Sequence, residues 1–301
     1  MNGALAVSRY TLIELSRRRI LLVLFIIGVL GIAVVGAAMK IQSQNSPSFT
    51  FGGPPGSPQP SAEAINRLTE LSFVMALTQV VGFFSLLIAF AIGMTAIYHD
   101  LESGAAVGIF SKPVSRAAFT AGKVLAALVS IVVIVGLLSL ETLLAMTLFG
   151  GGLEQALYVE TVAAVANALL IMLIVLALST LMNNIIAAVV AFIYYVVSMF
   201  VFQIHTQMVA GNLGDNEILK AAVNIGYWVV PHPLVSDIQR QLAQANYDLF
   251  ASMSGQEGGP PPGQFINYAP PGSGIQDIIW WAFLVVLIAG LVYVAVRRRQ
   301  V

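Results

Sequence analysis

One carboxylate, Glu141, lies inside a long apolar run, and four charged residues, Asp100, Glu102, Lys112 and Arg116, crowd a short connection between two such runs. A charged side chain in hydrocarbon is expensive. Glu141 therefore marks either a structural hydrogen bond to another helix or a group on a substrate or coupling path. Its neighbours on one helical face, Ile134, Leu137 and Leu138, offer no polar relay. Enzyme chemistry finds little else to use. The chain has no cysteine, which excludes a thiol nucleophile, a thiolate metal site and a disulfide. Its three histidines, His99, His205 and His232, are far apart and fit no metal-binding spacing, so each reads as a marker of a membrane boundary. No G-x-x-x-x-G-K-[ST] phosphate loop occurs. We expect no catalytic residue, metal or cofactor in this chain.

The elements that must position these residues are set by hydropathy. Of 301 residues, 58% are hydrophobic and only 9% charged, against about 25% charged in soluble domains. The apolar residues gather into stretches of about 20, the length that crosses a hydrocarbon core about 30 Å thick. Six such stretches are present: Ile20 to Met39, Phe73 to Tyr98, Val124 to Phe149, Thr161 to Leu181, Ile185 to Phe202 and Ile278 to Val296. The fourth and fifth are separated only by Met182, Asn183 and Asn184. Alternating apolar and polar residues are lacking, so helices rather than a barrel satisfy the backbone in lipid. The expected fold is an all-α membrane protein with six transmembrane helices. Amides and hydroxyls such as Asn167, Ser179, Thr180, Tyr194, Tyr195 and Ser198 are read as bonding across helices or satisfying freed backbone groups within a packed bundle. No ring of charges suggests a channel, and no repeated pair of broken helices suggests a secondary transporter.

Net charge is zero, yet the cations are unevenly placed. Sorted by alternate connections, ten fall on one side: Arg9, Arg17, Arg18, Arg19, Lys112, Arg116, Lys123, Arg297, Arg298 and Arg299. Lys40, Arg67, Lys220 and Arg240 fall on the other. Lys and Arg are retained inside, which assigns both termini and the charged connection to the cytoplasm of an inner-membrane, multi-pass protein. Twelve of the thirteen prolines lie in the two long segments left outside, 40–72 and 205–277, in runs such as "GGPPGSPQP"; such composition suits extended connections. Within the second, "ILKAAVNIGYWVV" from Ile218 is too short to span and suits a re-entrant or interfacial helix, and Ile238, Leu242, Ala245 and Leu249 share a further helical face. The resulting divisions are a cytoplasmic elbow segment 1–19; helices one to five over 20–204, with the charged connection 99–123 and the external loop 40–72; the external segment 205–277; and the last helix with its tail, 278–301. The elbow is only weakly amphipathic.

The thirteenth proline, Pro113, lies in the connection "DLESGAAVGIFSKPVSRAAFTAGK". Proline disfavours helical geometry at Lys112, and Ser115 is suited to cap the helix that follows. The stretch thus reads as a short crosswise helix between two long ones, bearing Asp100, Glu102, Lys112 and Arg116 as a docking element for a cytoplasmic partner. Its pattern resembles the signature loop of ABC-transporter permeases of the ABC-type-two exporter class. Glu102, Gly104, Ser111, Pro113, Val114, Ser115, Arg116, Gly122 and Lys123 match position by position. The resemblance extends more loosely to the elbow, the six spans and the outer helices. A narrower similarity, to the permease serving copper-site maturation of nitrous oxide reductase, has no substrate motif to carry it.

The resemblance implies a transmembrane permease subunit of an ATP-driven exporter, paired with a second copy of itself in membrane lipid. Two copies of a separate ABC ATPase, which would hold ATP and Mg, would dock on Asp100, Glu102, Gly104, Ser111, Lys112, Pro113, Ser115 and Arg116 through a coupling helix. Two other classes stay open. One is a mechanotransmission complex acting on a periplasmic partner without moving a solute. The other is a secondary transporter or scaffold that needs no ATPase. Nucleic acid is not an expected partner.

Overall fold

The computed structural model describes residues 3–45, 62–97, 115–149, 155–212, 214, 216–254 and 269–298. Among them every regular element is an α-helix: α1 (Gly3–Ser16), α2 (Arg19–Asn45), α3 (Ala62–Thr95), α4 (Arg116–Phe149), α5 (Gln155–Leu181), α6 (Asn184–Val209), α7 (Glu217–Val229), α8 (Ile238–Ser254) and α9 (Ile275–Arg298). Six of these, α2 to α6 and α9, are long and apolar enough to cross a membrane. Helices α3 and α4 have 34 residues each, about 51 Å at helical rise and well beyond a hydrocarbon core of about 30 Å. Residues 62–72, expected in a loop, are therefore the first turns of α3, and Leu71 is already buried there.

The core is a bundle in which α5 is the most enclosed span. It packs on α3 and α9, and less closely on α4 and α6. Without a hydrophobic force between helices in lipid, small residues that let backbones approach decide such contacts. Gly93 of α3 does so: a Cβ there would lie 2.7 Å from Val175 Cβ and 2.8 Å from the Met172 carbonyl of α5. Ser179 Oγ reaches back to Gly93 O at 3.4 Å while bonding Leu176 O at 2.9 Å. Helix α6 packs mainly on α5 and α7 and, lightly, on α3, and leaves Ile185, Ile193 and Phe200 more than half exposed.

Two ends of the bundle can be told apart by contacts. At the terminal end, α1 lies along the start of α4, and Arg116 of α4 meets the end of α9. At the far end, Lys40 Nζ of α2 donates to Leu148 O of α4 at 3.5 Å. Helices α7 and α8 and the extended stretch between them sit at this far end against α3, α5, α6 and α9. Helix α7 is a 13-residue helix capped by Asn216, whose side chain accepts from Leu219 N. The two-residue turn between α5 and α6 is held by Asn183 Oδ1, which accepts from Ile185 N at 2.9 Å.

Candidate functional site

Asp100, Glu102, Gly104, Ser111, Lys112 and Pro113, and with them the expected short crosswise helix and His99, lie outside the described residues. The connection is described from Ser115 onward. There Ser115 Oγ accepts from Ala118 N at 3.1 Å, and its carbonyl accepts from Phe119 N at 2.9 Å. This is the geometry of an N-cap, which satisfies a first-turn amide that has no helical partner. Arg116 Nη1 donates to Arg297 O at 3.0 Å. A cation there meets the partial negative charge at a helix C-terminus.

Two turns further on, Gly122 and Lys123 clamp α1 to α4. A Cβ on Gly122 would stand 2.5 Å from Ala4 O and 2.8 Å from Val7 Cβ, so only glycine lets the helices meet. Lys123, expected among the cations of the connection, is instead inside α4 and fully buried. Helix α4 begins at Arg116, so the ammonium is carried under α1 rather than into a loop. Its Nζ lies 3.4 Å from Glu14 Oε2 and 5.9 Å from the centres of the Tyr10 and Phe119 rings. Arg18 Nη2 donates to the other Glu14 oxygen. One carboxylate thus serves two cations. Burial alone would push the Glu14 carboxyl up, but the Arg18 hydrogen bond and the Lys123 and Arg18 charges outweigh it and hold the group below the usual carboxylate range.

Glu141 stands apart from both ends' networks. Its Oε2 is buried and has no hydrogen-bond partner among the described residues.

The far end holds what sequence spacing did not reveal. His205 and His232, read separately as boundary markers, stack on opposite sides of Tyr227, each 3.8 Å centre to centre. Asp277 gathers the group: its Oδ1 accepts from Tyr227 OH at 2.9 Å and lies 3.2 Å from His232 Nε2, while its Oδ2 accepts from Gly274 N at 2.7 Å. His232 Nδ1 faces Tyr227 O at 3.0 Å. Burial, followed by the Asp277 bond and charge, pushes the Tyr227 hydroxyl far above its ordinary range, which keeps it a donor. The rings stack rather than converge, and no three metal-ligating side chains meet among the described residues.

This cluster anchors one end of the extended stretch from Val230 to Asp237, and polar side chains hold the rest. Asn167 of α5 makes a reciprocal pair with Leu234, Nδ2 donating to its carbonyl and Oδ1 accepting from its amide, both at 2.8 Å. Glu160 Oε2 accepts from Ser236 N at 3.2 Å, Ser273 Oγ accepts from Val235 N at 2.9 Å, and Ser198 Oγ donates to Pro231 O. Non-helical backbone within a membrane protein must be satisfied by other protein groups, and these side chains do so. Asn167 and Ser198 thus take the second of the two roles open to them, satisfying freed backbone groups rather than bonding across spans. A signal existed in the sequence: "VVPHPLVSD" denies helical hydrogen bonds next to a span, so its carbonyls need partners.

Behind the stretch lies a cavity of about 540 Å³, bounded by α3, α5, α6 and the start of α8. Its apolar wall includes Phe83, Phe192, Tyr194, Tyr195 and Phe202, and its polar points include Gln79, Ser85, Glu160 and Gln203.

An all-helical bundle with six apolar spans and a satisfied non-helical stretch at one end defines a multi-pass membrane protein. The family model described as "ABC-2 family transporter protein" matches residues 5–296, nearly the whole chain, and the chain belongs to that family of permeases. Members generally pair with an ABC ATPase subunit. No curated protein matches the chain.

Proposed function

We propose that this chain is the membrane half of an ATP-driven exporter, working as a pair of identical copies with two copies of a separate ATPase that supplies ATP and Mg. The observation that carries the reading is the family match over residues 5–296. The cation asymmetry assigns the terminal end to the cytoplasm, so that the connection 99–123 is the docking element and the cavity lies toward the outside. ATP-driven movement of the docked subunits would push the end of α3 and the start of α4. Helix α3 is in backbone contact with α5 at Gly93, and α5 holds the far stretch through Asn167. A push on α3 therefore reaches the wall of the cavity through rigid, touching elements. The chain itself has no catalytic role in this scheme.

Co-expression with candidate ABC ATPase subunits from the same genome, followed by purification in mild detergent, tests the proposal. A complex with two copies of each subunit is expected, and E102Q or R116A should uncouple hydrolysis or lose the ATPase without disturbing membrane insertion. A stable monomer that binds no ATPase would refute it. The tether of α7, α8 and the stretch between them to four spans also suits mechanical action on a periplasmic partner. ATP hydrolysis with an associated ATPase but no solute movement would favour that second reading.

A further inference from the structure

We propose that the cavity beneath the Val230–Asp237 stretch binds a lipophilic organic monocation. As the load of an exporter this rests on the permease reading; as binding by the chain alone it does not. The volume, about 540 Å³, suits one drug-sized molecule. Five aromatic side chains line it, and aromatic faces attract a cation through the ring quadrupole. Glu160 is the one carboxylate in the lining, and no Lys or Arg among the described residues accompanies it. His232 also borders the cavity, but both its ring nitrogens face groups of the far-end cluster, Tyr227 O and Asp277 Oδ1. Among the described residues the lining therefore combines one carboxylate with several aromatic rings, which favours a positive guest and opposes a negative one.

A second, independent feature points to a guest. Ser85, only 2% exposed, borders the cavity with a buried Oγ that has no hydrogen-bond partner. Buried hydroxyls without partners are rare, and one just behind the wall of a roomy cavity needs only a turn about its own Cα–Cβ bond to meet a bound molecule. From Glu160 to Ile174 the lining of α5 rises about 21 Å, so a long amphipathic cation fits with its charge near Glu160 and its apolar body toward Ser85. Phe83 and Phe192, both more than half exposed, stand at the rim where α3 and α6 pack only lightly. A guest already dissolved in the bilayer would enter there.

Equilibrium dialysis of the purified chain in neutral-lipid nanodiscs, with empty nanodiscs subtracted and no ATPase or ATP present, tests binding separately from transport. The probe is tetraphenylphosphonium, compared with the anion of the same shape, tetraphenylborate. The expected result is one site per chain with at least tenfold preference for the cation. E160Q, which keeps an oxygen to accept from Ser236 N, should lower cation affinity five- to tenfold, and Y195L about threefold. Equal protein-dependent binding of both ions, or of neutral acyl lipid in competition with the cation, would overturn the proposal. So would an unchanged affinity in E160Q. The ion comparison needs no variant, so a variant that fails to fold leaves the test intact.

Discussion

The two ends of the bundle solve the same problem, holding non-spanning segments against spanning helices, by opposite means. At the terminal end a charged group does it: Glu14 with Arg18 and the buried Lys123, over a glycine contact. At the far end mostly neutral groups do it, Asn167, Ser198 and Ser273 bonding the backbone of an extended stretch, with Glu160 and Asp277 each accepting from an amide. The difference teaches what each end is free to do. A buried charge cluster is costly to pull apart, since separating one partner leaves an uncompensated ion. Paired amide and hydroxyl bonds are individually worth about 1 kcal/mol and can be exchanged one at a time. The terminal end is thus the costlier of the two to separate, and the far end the one whose bonds can be exchanged singly.

The largest effect is expected from forcing the terminal end open sterically. In G122L a side chain would meet the Ala4 carbonyl and Val7, neither of which can withdraw without moving α1. We expect a loss of about 3 kcal/mol or more, with α1 detached. The chain has no cysteine, so spin labels at the exposed positions Leu5 and Leu125 can report the α1–α4 distance directly. A lengthened and broadened distance distribution is expected. An unchanged one would show that α1 is held by its charges alone.

The matching break at the far end is N167L. It strips both partners from Leu234 and leaves a part-buried amide and carbonyl unpaired, at about 1 kcal/mol for each group. Hydrogen exchange should rise over residues 230–237 while the spin-label distance at the other end stays fixed. If both ends loosen together, the separation drawn between them fails.

The outline of this architecture was legible in the sequence, and its particulars were legible only where local chemistry dominates. Six spans stood out because hydrocarbon demands long apolar runs, and Asn183 marked the tight turn because an amide caps well. Helix α1 was blurred because its buried face, Val7, Ser8, Thr11 and Leu15, mixes aliphatic side chains with hydroxyls. Thr11 hides its hydroxyl by donating to Val7 O at 2.9 Å, so a polar residue behaves as a packing one. Lys123 looked like a loop cation because its charge, not its helical register, was the visible feature. The first turns of α3 were hidden by the Gly/Pro-rich run that precedes them. The His205, Tyr227, His232 and Asp277 cluster and the cavity draw residues from several elements, and no spacing within one segment could announce them.

A gentler way to sharpen the comparison is acid. Glu14 titrates below a free carboxyl, whose reference value is 4.5. The unfolded chain therefore takes up the proton more readily than the folded one. The contribution of Glu14 is fully present above about 4.5 and is lost as pH falls through the lower folded value. The α1–α4 distance should hold at neutral pH and lengthen on acidification below that range. E14Q should already be loosened at pH 7, by about 2 kcal/mol rather than the 3–5 of a fully enclosed pair, because Glu14 is 22% exposed. Its distance should change little over the acidification that lengthens the wild-type distance. A wild-type distance constant through the same acid range would mean that steric packing at Gly122, not charge, holds the elbow.

The smallest effect tests where the clamp between α1 and α4 begins. Ser115 is the first described residue of the connection and caps α4 through Ala118 N. Losing a cap hydroxyl costs about 1 kcal/mol, so S115A should leave overall stability nearly unchanged. Its consequence is local: exchange should quicken at the amides of Ala118 and its neighbours. It should not quicken beyond Gly122, where α1 grips the helix. The Arg116 bond to Arg297 O lies within the frayed turn, so the start of α4 would also part from the end of α9. If a docked subunit pushes on this turn, S115A should reduce the coupling of ATP hydrolysis more than it reduces stability, because a frayed turn yields before it transmits. Equal loss of both would place the point of transmission elsewhere, on the clamp at Lys123.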